Sequence, residues 1–403
     1  MQTAGIIAEY NPFHRGHEYH IACTRQAGAT HIVVVMSGNY VQRGEPALLE
    51  KHARAEAALA CGADLVLDLP TPWALAGAQG FAEGAVALLQ ALGCVDTLSF
   101  GSESGDTEAI QSAARAIESK AVRDLIQPAM ARGITFAAAR EQAVRAVDPR
   151  AGALLRSPND TLAVEYVRAL HQLQSSMEPF AVRRIGAPHD SCGASDASDA
   201  PLNASQIRAR ILAGEDVSPL LPDASATVLQ REFAAGRAPV SIINLGTAIL
   251  CRLRGMTPEE FAQVPDISEG LENRIAAAAK EAVCLEELYG RVKTKRYPHA
   301  RIRRIVCCAF LGIGVRARGE SPPCLRVLGL NGRGRELLRI AKKRGSLPVV
   351  LRAADIRGLD TRARELFALE CRATDIYGLA MPSPQPGGTE YTLSPVVLPG
   401  GRA

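Results

Sequence analysis

Short, unbroken apolar runs alternate with longer alanine-rich stretches through the first half of the chain. Ile6-Ile7-Ala8, Ile32 to Met36 and Leu65-Val66-Leu67 show little of the two-residue alternation of a half-solvated strand. Such runs suit strands covered on both faces, and they predict strands at 5–9, 31–36, 64–69, 95–100 and 180–185. The stretches between them predict helices at 17–27, 51–61 and 80–92. A further helix at 161–173 places Leu162, Tyr166, Leu170 and Leu173 on one apolar face. This alternation makes an α/β fold with a parallel sheet, whose ligands bind beyond the carboxyl ends of the strands. Small polar residues between 189 and 203 predict a long loop, and the rhythm stops between Pro219 and Pro239. The expected division is therefore 1–225 and a mostly α-helical 226–403. Helices are expected there at 257–262, 269–282, 301–311 and 333–343, followed by an irregular tail containing several prolines and glycines.

Three loops at the predicted carboxyl edge carry chemistry. The first holds His14-Arg15-Gly16-His17 at a strand-to-helix junction. A helix N-terminus presents unpaired N–H groups and the positive end of the dipole, and two imidazoles beside it can donate to phosphate oxygens. The motif alone equally fits two histidines that cap or pack locally. The second loop, Ser37-Gly38-Asn39 and onward to Arg43, Glu45 and Pro46, predicts a pocket for a small anion beside the nucleotide. The third is Gly101-Ser102-Glu103. Asn159 opens the 161–173 helix, as a cap or as a nucleotide contact. Arg183-Arg184, with Ser205 and Arg208 at another helix start, supply the cations that a leaving pyrophosphate needs.

Composition narrows the class. The 403 residues are 47% hydrophobic and 22% charged, an ordinary globular mixture, and no apolar run is long enough to span a bilayer. With no signal-peptide pattern, a cytoplasmic protein is expected. Ten cysteines without a CxxC pair predict buried thiols rather than a zinc site. A net charge of +4 says little by itself, but its distribution says more. Lys293, Lys295, Arg296, Tyr297, Arg301, Arg303 and Arg304 combine cations with an aromatic, which suits phosphate contact and base stacking. Arg333, Arg335, Arg339, Lys342, Lys343 and Arg344 form a second basic cluster.

His14, Gly16 and His17 resemble the HxGH signature of the nucleotidylyltransferase superfamily, and Ser205 to Arg208 its second, Ser/Thr-x-x-Arg element. Longer stretches resemble one family within it, the bacterial tRNA(Met) cytidine acetate ligases: GIIAEYNPFHRGHEYH, MSGNYVQRGEPALLEKHARAEAALACGADLVLDLP, LSFGSES, SPNDTLAVEYV and VKTKRYPHARIRRI. The resemblance implies a Rossmann-like sheet, activation of acetate by ATP to acetyladenylate, and acetyl transfer to the wobble cytidine of elongator tRNA(Met). It implies ATP contacts at Ile7, Ala8, Glu9, Tyr10, Asn11, Pro12, Phe13, His14, Arg15, Gly16, His17, Glu18, Tyr19 and His20, and at Gly101, Asn159, Arg183 and Arg184. His14 and His17 would stabilise the α-phosphate, and acetate would lie near Ser37 and Asn39. Magnesium would arrive on the phosphates, without a carboxylate cage. Asn203 departs from the family pattern, standing where a small hydroxyl residue is expected before Ile207 and Arg208. A small-metabolite nucleotidylyltransferase and a non-enzymatic RNA-binding protein on the same fold are the alternatives that the residues leave open.

Overall fold

In the computed structural model, residues 1–184, 202–268, 270–294 and 297–399 are described. Eight strands build the main sheet. From the first half come β1 (Thr3–Ala8), β2 (His31–Ser37), β5 (Leu65–Leu69), β6 (Thr97–Ser102) and β7 (Glu178–Arg183). A separate two-stranded hairpin, β3 (Tyr40–Val41) and β4 (Glu45–Pro46), follows β2. The second half adds β8 (Leu325–Leu330), β9 (Val349–Val350) and β10 (Val396–Val397). The order is β10-β8-β5-β2-β1-β6-β7, with β9 also paired to β8. Within the main sheet every pairing is parallel except β5 with β8.

The apolar pattern explains the centre of this sheet. All seven residues of β2 are buried, as expected for a strand covered on both faces. Val33 and Val35 belong to the core under the Ala78–Ala91 helix, while Ile32 and Val34 face the helices on the other side. Gly5 is the close-approach point: a Cβ there would lie 2.6 Å from Leu89 Cδ1, so only glycine lets that helix sit on β1. Helices Thr107–Glu118, Lys120–Ala131, Phe136–Val147 and Pro149–Leu154, none of them anticipated from the sequence, fill the connection from β6 to the Pro158–Gln172 helix.

The second half is more closely joined to the sheet than the expected division at 225 suggests. β8 is buried beside β5, although Leu-Arg-Val-Leu-Gly-Leu is short and interrupted by Arg326 and Gly329. Gly329 lies where a Cβ would meet Leu59 Cδ1 at 2.7 Å, which explains the glycine. The Asp223–Ala234 helix packs back on Lys51–Ala60, with Arg231 paired to Glu56. Among the described residues the tail carries only a short helix and a two-residue strand, but it is anchored: β10 pairs with β8, and Glu390, fully buried, bonds Lys51 at 2.5 Å. The helices Gly246–Arg254, Leu271–Glu281, Leu285–Val292, His299–Leu311 and Thr361–Leu379 share a core of their own, into which Tyr40 and Leu75 reach. Among the described residues no helix is long and apolar enough to cross a membrane.

Candidate active site

β1 ends in a sharp turn. Tyr10 adopts φ +48°, and its ring packs against Phe13 at 4.7 Å and His17 at 4.8 Å. The turn delivers His14 to the N-cap of the Arg15–Gln26 helix, where the two histidines cap one another's backbone. His14 Nδ1 accepts from Gly16 N–H at 3.0 Å, and His17 Nδ1 accepts from His14 N–H at 3.3 Å. Each neutral ring therefore carries its proton on Nε2. The ring centroids are 3.8 Å apart. Burial, then Arg184 and Arg208, lowers the His14 pKa to about 3. Burial, then His14, Arg184 and His20, holds His17 well below its ordinary value. His20, which bonds Ser99 Oγ at 2.9 Å, is lowered to about 4 by burial and Arg184. All three are neutral at pH 7. His14 Nε2 is buried without a partner among the described residues, a donor waiting for an acceptor.

The histidines stand between two compartments of one cleft. Ile7, Ala8, Tyr10, His14, His17, Leu162, Tyr166, Arg184 and Asn203 line both. Gly16, Tyr19, His20, Gly101, Asn159 and Arg183 line only the one toward the edge of the sheet, beside β6 and β7, which is outer in that sense alone. There the Asn159 amide donates to Glu103 Oε1 at 2.6 Å, leaving Asn159 Oδ1 for a ligand. Arg184 crosses over Gly101, whose Cβ would lie 3.4 Å from Arg184 Cγ. The inner compartment adds Glu9, Asn11, Gln42, Arg43, Phe81, Ser205 and Arg208. Arg208 donates to Asn11 O at 2.8 Å and to Ser205 Oγ at 3.3 Å. Asn203 caps the Ala204–Leu212 helix, accepting from Ser205 and Gln206 N–H at 3.0 Å. Asparagine caps as well as serine does, which accounts for its standing in place of a hydroxyl.

The sequence model of the HIGH Nucleotidyl Transferase family matches residues 1–390. The tRNA(Met) cytidine acetate ligase of Acetivibrio thermocellus is 35% identical, over 99% of this chain and all of its own. That of Thermotoga maritima is 32% identical over 97% and 99%. The crystal structure of Thermotoga maritima TmcAL bound with alpha-thio ATP superposes with a TM-score of 0.91 at 31% identity, covering 99% of this chain and all of that one. Its apo form gives 0.93. The chain belongs to the tRNA(Met) cytidine acetate ligase family.

Several residues singled out in the sequence lie away from the cleft of this family member. Pro12 and Phe13 are buried behind the turn, and Arg15 and Glu18 face solvent, with Arg15 Nε bonding Pro219 O at 3.3 Å. Ser37 is fully buried at the end of β2 and lines neither compartment. Asn39 is spent on structure: Oδ1 accepts from Lys51 N–H at 2.9 Å, and Nδ2 donates to Thr374 Oγ1 at 3.1 Å. The same loop instead brings Gln42 and Arg43 to the cleft, a few residues further on. Tyr166 and Leu162, read from the sequence only as a core face, line both compartments.

The basic stretch divides. Lys293 is exposed, while Lys295 and Arg296 lie outside the described residues. Tyr297 is only 7% exposed, with Arg301 stacked on it at 5.2 Å, so this ring offers no free face to a base. Arg301 donates to Asp266 O at 2.7 Å and to Ser268 Oγ at 2.9 Å. Arg303 lies over Tyr289, and Arg304 reaches Gln42 O at 3.4 Å. The exposed cations of the Gly332–Arg344 helix sit at the other edge of the sheet, where Glu336 meets His31 and Asn331 N–H meets Asp64 O. The two basic clusters do not form one continuous face.

Proposed function

We propose that the protein uses ATP to convert acetate to acetyladenylate, releasing pyrophosphate. It then passes the acetyl group to N4 of the wobble cytidine in elongator tRNA(Met), giving N4-acetylcytidine. The observation that carries this reading is the pair of neutral imidazoles, locked as Nε2 donors between two compartments. Acetate is already ionised at pH 7, so its attack on the α-phosphate needs positioning and charge stabilisation rather than a base. His14 and His17 donate to the α-phosphate oxygens as charge builds there. Gly101, Asn159 and Arg183 hold the nucleoside in the outer compartment, while Arg184, Ser205 and Arg208 receive the pyrophosphate. Among the described residues no three His, Cys, Asp or Glu side chains come together as a metal cage. Magnesium would be carried by the phosphates and their water, the usual way this ion accompanies a nucleoside triphosphate.

In this reading residues 1–225 carry adenylation and 226–403 carry most of the tRNA contact, through Lys293 with Lys295 and Arg296. The test is acetate-dependent exchange of labelled pyrophosphate into ATP. Exchange that requires acetate supports the first half-reaction, and exchange without acetate, or none at all, contradicts it.

A further inference from the structure

The two compartments differ in what they leave unpaired. Asn11 lines only the inner one and is 2% exposed. Its Oδ1 accepts from Leu48 N–H at 2.8 Å, which fixes the orientation of the amide. Nδ2 then has no partner among the described residues. A buried donor left in that state is destabilising, so its retention calls for an acceptor that arrives with a ligand. Glu9 also lines only this compartment. Its Oε1 accepts from Gln42 N–H at 2.8 Å, and its other oxygen takes no hydrogen bond among the described residues. Phe81, Leu162 and Tyr166 supply apolar wall.

Once pyrophosphate has left past Arg184, Ser205 and Arg208, a carboxylate and a neutral amide remain on the inner wall beside the acetyl group. Acyl transfer to an aromatic amine asks for this combination. The lone pair of cytosine N4 is delocalised into the ring, so the nitrogen attacks productively only if a base removes its proton. The carbonyl oxygen meanwhile gathers charge and needs a preorganised donor.

We propose that the inner compartment is the acyl-transfer chamber, in which Asn11 Nδ2 holds the acetyl carbonyl oxygen and the Glu9 carboxylate takes the proton of the cytidine amine. This rests on the ligase reading above, and it moves Glu9 and Asn11, which the resemblance counts among the ATP contacts, to the second half-reaction, because neither lines the outer compartment. N4 bonds to the carbonyl carbon, and the carbonyl electron pair moves onto the oxygen held by Asn11. When that pair returns, the bond from the carbonyl carbon to the phosphate oxygen breaks. AMP leaves with the bonding electrons, and the N4 proton passes to Glu9. Arg208, which donates to Asn11 O, keeps the backbone of the chamber in register.

The full-length Glu9→Gln variant tests the assignment, because the carboxamide oxygen still accepts from Gln42 N–H. Two rates are measured on one preparation: acetate-dependent ATP–pyrophosphate exchange, and single-turnover acetyl transfer to a tRNA(Met) transcript. The transfer-to-exchange ratio is expected to fall at least about 100-fold. Asn11→Asp, which keeps the acceptor for Leu48 and loses the donor, lowers the ratio in the same direction. A ratio within about threefold of wild type overturns the assignment, as does exchange that falls in step with transfer. A wild-type protein that exchanges and never transfers overturns the ligase reading instead, so the two failures are told apart.

Discussion

A histidine that must donate to phosphate at neutral pH has to be neutral and correctly protonated, and the capping geometry at His14 and His17 secures both. Backbone N–H groups occupy the two Nδ1 atoms, and burial beside Arg184 keeps the rings unprotonated. His17→Ala removes one phosphate donor and is expected to lower pyrophosphate exchange by about 10²–10³, measured as kcat/KM for ATP. The depressed pKa values also set a pH dependence. Below about pH 6.5 the unfolded chain takes up protons that the native histidines refuse, so stability is complete above that pH and is lost as pH falls, down to about 3 for His14. Thermal unfolding from pH 7 to 4.5 is expected to show about 2–3 kcal/mol of loss from His14 alone, reduced in His14→Gln. The HxGH pattern and its helix-start position were legible in the chain. The reciprocal capping was not, because it depends on the Tyr10 turn, and neither was the loss of Asn39 to the backbone of Lys51.

Elements rather than single residues decide how the cleft is walled. The loop after β2 reaches it through Gln42 and Arg43, and it is held from behind by the second half of the chain. Gly44, at φ +78°, lets the His299–Leu311 helix approach so closely that a Cβ would lie 2.4 Å from Arg304 N. Gly44→Ala is expected to loosen that contact and raise KM for ATP several-fold, with an added loss of about 1 kcal/mol from the left-handed backbone. Behind the loop, Lys51 is buried between Asp68 at 2.8 Å and Glu390 at 2.5 Å, and Arg326 also binds Glu390. Glu390→Ala leaves these cations without one of their buried partners, and denaturant unfolding is expected to register about 3–5 kcal/mol. The central strands were readable because burial on both faces writes an unbroken apolar run. β8 and the tail were not, since a six-residue strand with an interior glycine and a carboxylate paired 339 positions from Lys51 (390 − 51) leave no local signature.

For the molecule as a whole, the basic residues have two uses. Arg304 ties the helical half to the loop that walls the cleft, while Arg301 and Arg303 are spent on Tyr297, Asp266 and Tyr289 within that half, uses which charge counting along the chain does not distinguish from RNA contact. The Gly332–Arg344 cations lie at the edge opposite the site. With the wobble base in the cleft, Lys293→Glu is expected to weaken tRNA binding more than Arg339→Glu and to reduce the salt slope by about one. Filter binding across a salt series reads both, and the reverse ordering would move the tRNA to the far edge. The central claim is tested most directly by mass spectrometry of nucleosides from elongator tRNA(Met) incubated with the protein, ATP and isotope-labelled acetate. Labelled N4-acetylcytidine that forms only when all components are present is the predicted result. Cytidine left unlabelled by protein that still exchanges pyrophosphate would contradict it.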